Sequence, residues 1–192
     1  SLWNGWSRGL DLRIIAPGGL EPMENSPTAL IARADLMTNG SIKSVRDLKG
    51  MRIGVAGGPG SGGEYLLTKA LQQGGMMLND IKKVKIGNAD MPKALANQSI
   101  DAALTGPPYT TQSINDGHAK VLASDLAPGL MTVAFVGSGK FVNQRADVAE
   151  RFVLALGEAA RLMQGDGFLD DENIKAYMMN TNTTEKALRT GK

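Results

Sequence analysis

The chain has 192 residues, 21 Lys and Arg against 19 Asp and Glu, a net charge of +2, and 42% hydrophobic residues. This is enough to bury a sizeable core, and it excludes disordered and fibrous classes. Scattered charge with only 5% aromatic residues argues against a dedicated nucleic-acid surface; zero Cys leaves no disulfide, thiolate metal site or cysteine nucleophile within these residues, and one His without a carboxylate cluster argues against a catalytic zinc.

In chain order, the opening Leu2-Trp3-Asn4-Gly5-Trp6 reads as the interior of a longer protein, since the chain begins on Ser1 and not Met. Trp3 and Trp6 are expected to be core residues. Short apolar runs then alternate with amphipathic stretches, the pattern of βα units around a mostly parallel sheet. Strands are predicted at 12–16, 29–32, 52–56, 84–86, 102–105, 120–122 and 132–136, and helices at 45–48, 64–73, 91–97, 110–116, 146–164 and 171–179. Leu66, Leu67, Ala70 and Leu71 share one helix face, which assigns them to the core. Asp90 is placed to cap a helix with Pro92 in its first turn, Asp170, Asp171 and Glu172 favour the start of the last helix, and Gly117 and Gly74-Gly75 are stops. Lys82, Lys83 and Lys85 read as a solvated strand edge, and His118 as part of a surface turn. Asn97-Gln98-Ser99 and Asn182-Thr183-Thr184 fit glycosylation sequons and are assigned no role. The longest apolar stretch, 130–136, is far below the roughly 18 residues of a membrane span.

The most telling run is Gly57-Gly58-Pro59-Gly60-Ser61-Gly62-Gly63, between a predicted strand and a predicted helix. The first N–H groups of a helix lack intrahelical partners, the dipole adds positive potential, and glycine lets a ligand approach the main chain. Ser61 adds a hydroxyl. The plain alternative is a tight turn with no ligand. Gly58-x-Gly60-x-x-Gly63 also meets the dinucleotide fingerprint, but that fingerprint asks in addition for an acidic residue about 20 positions on, at the end of the next strand, and Asp90 comes later than that. No Gly-Lys-Ser/Thr ending follows, which excludes a P-loop.

Ligands of open α/β sheets sit beyond the carboxyl ends of strands. The segments to inspect are therefore Pro17-Gly18-Gly19, 57–63, 88–91 and 105–109. None carries a base–nucleophile pair, which favours binding over chemistry.

The elements Leu10-Asp11-Leu12-Arg13-Ile14-Ile15-Ala16, Asp47-Leu48-Lys49-Gly50-Met51-Arg52-Ile53, Gly60-Ser61-Gly62-Gly63-Glu64-Tyr65-Leu66-Leu67 and Ala89-Asp90-Met91-Pro92-Lys93-Ala94-Leu95-Ala96, in this order, resemble the periplasmic solute-binding proteins of nitrate/sulfonate/taurine-type ABC transporters, in the NMT1/THI5-like superfamily. The likeness runs on through Ser99-Ile100-Asp101-Ala102-Ala103, Ser138-Gly139-Lys140-Phe141 and Asp147-Val148-Ala149. It implies a two-lobed α/β fold of the type II binding-protein class with flanking helices and one lobe incomplete. Residues 1–42 would be part of lobe 1, 43–130 lobe 2, and 131–192 the return to lobe 1. The implied role is a subunit that captures a small anion in an inter-lobe cleft and delivers it to a membrane permease, in the periplasm or on a lipid anchor outside the cell, without a cofactor.

On this resemblance Gly60, Ser61, Gly62 and Gly63 hold the anionic head group, Thr105 and Tyr109 line the cleft, Gly18 and Gly19 face it, and Asp90 is either a helix cap or a ligand contact. The family usually has Glu-Pro-aromatic where this chain has Pro107-Pro108-Tyr109, which counts against a ligand carrying an amine. Two other readings stay open, an enzyme of the same fold acting on a thiamine pyrimidine precursor or a sulfinate and a ligand-sensing domain of a regulator, while a nicotinamide-dependent oxidoreductase falls away once the neighbours of the glycine turn are considered.

Overall fold

The computed structural model describes residues 2–180 and 184–190, so the sequon residues Asn182 and Thr183 lie outside the described residues. Described elements, in order, are α1 (Leu2–Ser7), β1 (Leu12–Leu20), β2 (Ala29–Arg33), α2 (Ala34–Thr38), β3 (Arg52–Val55), α3 (Gly62–Gln73), β4 (Lys82–Lys85), α4 (Met91–Ala96), β5 (Ala102–Thr105), α5 (Tyr109–Asn115), β6 (Ala119–Ala123), β7 (Met131–Ser138), α6 (Gly139–Gln144), α7 (Ala146–Leu162), α8 (Asp171–Asn180) and α9 (Glu185–Thr190). Single 3₁₀ turns stand at Val45–Leu48, Leu78–Asp80, Asn88–Asp90 and Gly165–Leu169.

Two compact units divide the chain, one spanning Gly19–Val133 and the other Leu2–Gly18 with Ala134–Lys192. This division differs from lobe limits at 42/43 and 130/131: β2 lies inside the first unit, hydrogen-bonded between β5 and β6.

The first unit is built on a five-stranded sheet of order β4-β3-β5-β2-β6. β3 runs parallel to β4 and β5, while β2 runs antiparallel to both β5 and β6, so β2 alone opposes the other four. Alternation of side chains along the pleat feeds a separate apolar cluster on each face. Leu30, Ala32, Ile53, Val55, Ala102 and Leu104 pack with Leu66, Leu67, Ala70 and Leu71 of α3. Ala29, Ile31 and Ala103 pack with Met91, Ala94 and Leu95 of α4. Every residue of β2 and β5 is buried, as expected of central strands covered on both faces. β4 is an edge strand, and Lys82, Lys83 and Lys85 are exposed on it, an arrangement that discourages pairing with another chain.

Arg33, Asp101 and Arg52 form an ionic network where β2 ends and β3 and β5 begin. Asp101 accepts the Arg52 main-chain N–H at 2.9 Å, Arg52 Nη2 at 2.7 Å and Arg33 Nη1 at 3.5 Å, while buried Arg33 also donates to Asp35 at 2.6 Å.

The second unit carries parts of β1 and β7, which pair as a two-stranded sheet, with α1 and α6 to α9. Its buried apolar residues among those described are Ala149, Ile174 and Leu188, and Phe152, Val153, Leu154 and Leu162 of α7 are exposed. Trp3, expected in the core, is 74% exposed; it meets Trp6 edge-on at 5.0 Å, and the Trp6 indole donates to the Leu12 carbonyl at 2.8 Å. β1 continues through Pro17-Gly18-Gly19 instead of ending at residue 16. Pro is tolerated because each strand of a two-stranded sheet has one unpaired edge.

Candidate functional site

Because β3, β4, β5 and β6 all point one way, their carboxyl ends share one edge of the sheet, and antiparallel β2 brings its amino end there. Along this edge stand residues 88–90, 57–63, 105–109, 26–28 and 124–125, in the order of their strands.

The turn at 57–63 is fixed by its sequence. Gly60 has φ +76°, a left-handed conformation that favours glycine. Ser61 is extended and caps α3, its Oγ accepting the Glu64 N–H at 3.2 Å and donating to the Ala56 carbonyl at 3.3 Å. α3 thus begins at Gly62, two residues earlier than expected. A Cβ on Gly63 would lie 3.0 Å from the Ala56 carbonyl oxygen, and one on Gly62 would lie 3.2 Å from the Thr132 carbonyl oxygen. The two carbonyls pack against the glycine main chain where a side chain would otherwise stand. The N–H groups of Gly62 and Gly63, in the first turn of a twelve-residue helix, donate to no acceptor among the described residues.

Gly60 differs. Its N–H donates at 2.6 Å to Oε2 of Glu64, whose other carboxylate oxygen accepts from Lys83 on β4. The hydrogen bond from Lys83 and then that from the Gly60 amide hold the Glu64 carboxyl below the ordinary carboxylate value, against its partial burial. The protein's own carboxylate thus takes one of the expected anion donors.

Thr105 is buried at the end of β5, with its hydroxyl 3.5 Å from the Gly106 carbonyl. Tyr109 opens α5 and is half-buried after a cis Pro107-Pro108 bond. Asp90 is exposed at the same edge, and its side chain makes no capping hydrogen bond. The helix-cap expectation for Asp90 is therefore corrected: its φ of −92° and ψ of −12° continue the preceding 3₁₀ turn, whereas a capping residue is extended. Gly18 and Gly19 lie within β1 and not in a loop, and the unit boundary falls between them. The structure thus gathers Gly60, Ser61, Gly62, Gly63, Asp90, Thr105 and Tyr109 on one sheet edge, and Gly18 is not in that unit.

Residues that sequence reasoning missed stand on the same edge. Thr28 Oγ1 lies 3.3 Å from where a Cβ on Gly106 would be. Buried Ser26 donates its N–H to Asp125 at 2.7 Å and its hydroxyl to Glu21 at 2.8 Å, and Thr132 donates to the other Glu21 oxygen at 3.3 Å. Only the antiparallel direction of β2 could have pointed to Ser26 and Thr28.

Among the described residues no group of three or more His, Cys, Asp or Glu could hold a metal ion, and no helix is long and apolar enough to cross a membrane. A groove lined by Ile174, Met178, Met179, Asp171 and Glu185 belongs to the other unit and shares no residue with this edge.

The mixed sheet, with helices on both faces, thus carries a glycine turn at its carboxyl edge. Residues 7–166 match the family model described as NMT1/THI5 like, and the chain belongs to that family. A Brucella abortus (strain 2308) protein, whose name gives a provisional role as a binding protein, is 29% identical over 160 residues, which is 78% of this chain and 50% of that protein. The chain therefore spans about half the length of the curated relatives it matches.

Among solved structures, the alkanesulfonate-binding protein SsuA from Xanthomonas axonopodis pv. citri bound to MOPS is similar with a TM-score of 0.75 at 22% identity, over 96% of this chain and 60% of that one. The periplasmic nitrate-binding protein NrtA from Synechocystis PCC 6803 gives 0.69 at 14%, over 94% and 48%. A desulfurization enzyme also shares the fold, at a TM-score of 0.54 and 18% identity over 94% of this chain and 64% of that one. The fold is that of the periplasmic binding proteins, and this chain covers part of it.

Proposed function

We propose that this chain is the solute-binding part of an ABC importer that captures a small oxyanion or organic anion, a sulfonate, nitrate or a similar group. The single observation that carries the reading is the pair of unpartnered amides, Gly62 and Gly63, at the Ser61-capped start of α3 on the carboxyl edge of the sheet. Their unpaired N–H groups and the helix dipole suit a compact negative group. Thr105 and Tyr109 stand beside the turn at the same edge, and Gly18 and Gly19 are proposed to contribute from β1. The proposed partners are a small anionic solute and a membrane permease, and the proposed location is the periplasm or a lipid anchor outside the cell. Family membership and the titles of the sulfonate- and nitrate-binding structures support this choice of ligand class.

The second reading is an enzyme of the same fold, favoured by the likeness to a desulfurization enzyme. It is the weaker of the two because the hydroxyl–carboxylate pair at the edge, Ser26 with Glu21, is tied into the fold, the Ser26 hydroxyl being buried.

The test is a thermal-shift panel on the full-length protein that contains this chain, with nitrate, ethanesulfonate, aryl sulfonates, aromatic carboxylates and pyrimidines. An oxyanion present at 100 times its Kd should add about 2.7 kcal/mol of stability. Stabilisation by pyrimidines alone, with turnover, would favour the enzyme.

A further inference from the structure

Glu21 follows β1, and its main chain is fastened beside the start of β7: its N–H donates to the Leu130 carbonyl at 2.9 Å, and its carbonyl accepts from Gly129 at 3.0 Å. Its carboxylate then reaches two ways. Oε1 takes the Thr132 hydroxyl and Oε2 takes the hydroxyl of Ser26, which is 8% exposed. Thr132 is the residue whose carbonyl closes on Gly62, and Ser26 Oγ accepts the N–H of Thr28, the residue whose hydroxyl closes on Gly106. One half-buried acidic side chain is thus joined to Gly62 and to Gly106 of the candidate edge, through a single intermediate on one side and two on the other.

We infer that Glu21 is a positioning residue for this edge, setting the Thr132 carbonyl over Gly62 and the Thr28 hydroxyl against Gly106 at the same time. A carboxylate only accepts, so the Thr132 hydroxyl must turn its proton toward it, and the Ser26 hydroxyl, which also reaches the Thr28 carbonyl at 3.3 Å, finds in it the nearer, charged acceptor at 2.8 Å. An amide offers one acceptor and one donor and can satisfy only one hydroxyl in its present orientation. An alanine releases both. The inference rests on the reading of Gly62 and Gly63 as ligand donors, and it concerns how they are held, which can be measured without a ligand.

The experiment compares ¹H–¹⁵N spectra of the ligand-free full-length protein with those of Glu21→Ala, Glu21→Gln and Thr132→Val, reading the amide signals of Gly62, Gly63 and Gly106, with ethanesulfonate titrated afterwards. Glu21→Ala should move all three signals and weaken ethanesulfonate binding by roughly tenfold, the equivalent of one hydrogen bond to a charged group. Glu21→Gln should move them less, and Thr132→Val should move Gly62 and Gly63 while leaving Gly106 in place. The inference is overturned if Glu21→Ala shifts only its neighbours in sequence, or if Thr132→Val moves Gly106 as far as Gly62. Should Glu21→Ala fail to fold, the other two variants decide by the same signals. Absence of ethanesulfonate binding to the unaltered protein counts against the sulfonate reading alone, since the spectra still decide the role of Glu21.

Discussion

The Gly60 main-chain N–H donates to the Glu64 carboxylate at 2.6 Å, so the turn that suits a foreign anion already holds an internal one. Lys83 neutralises that carboxylate from β4, and the pair joins the helix start to the edge strand. The Ser61 N–H donates to the Gly58 carbonyl at 3.0 Å, so of the four amides from Gly60 to Gly63 two are left for a solute.

Glu64→Ala should therefore have opposed effects. Loss of the contact to Gly60 should lower stability by about 1 kcal/mol, while removal of a negative charge from the helix start should tighten oxyanion binding by roughly fivefold. Chemical denaturation and calorimetry with ethanesulfonate check the two effects separately. Weaker binding in the variant would mean that Glu64 orders the site more than it competes with the solute.

Asp101 should set acid stability. Burial alone would raise its pKa, but hydrogen bonds from the Arg52 side chain and main chain, with the charges of Arg52 and Arg33, outweigh this and leave it below 3.8. A carboxyl depressed on folding contributes stability that is complete above its unfolded pKa and fades as pH falls through the folded one. The urea midpoint should therefore hold from neutral pH to about pH 5 and then fall below about pH 4, and Asp101→Asn should flatten that fall. Asp101→Ala should cost about 3 kcal/mol, since it leaves buried Arg33 short of a partner. A fall of equal steepness in Asp101→Asn would assign the acid sensitivity elsewhere.

Lys82 and Lys85 are expected to protect the open edge of β4. Replacing both with Val makes a flat apolar edge, and light scattering at fixed concentration should then show more association at neutral pH than the parent shows. Unchanged scattering would mean that the edge is protected by something other than these charges.

Much of this was legible in the chain. The glycine turn, the α3 face of Leu66, Leu67, Ala70 and Leu71, and the exposed lysine strand follow from local chemistry, and the structure keeps all three. What the sequence hid was direction and partnership. Alternation of apolar runs suggests parallel βα units, and nothing in Ala29 to Arg33 announces that this one strand runs the other way and delivers Ser26 and Thr28 to the site. Glu64 looks like an ordinary first-turn acid, and its grip on Gly60 depends on a bend four residues back. Gly18 and Gly19 look like a loop because glycine and proline break most strands, yet a two-stranded sheet accommodates them.

The most direct measurement of the central claim is oxyanion binding to Gly62→Pro. Gly62 is the first helical residue after an extended Ser61, a place where proline is favourable; it removes the N–H and adds a Cβ 3.2 Å from the Thr132 carbonyl oxygen, so Gly62→Ala, which adds the Cβ and keeps the N–H, is the control. By calorimetry with the best oxyanion from the thermal-shift panel, the variant should keep its helix by circular dichroism and lose roughly tenfold or more in affinity. A folded Gly62→Pro that binds the oxyanion as tightly as the parent would contradict the account.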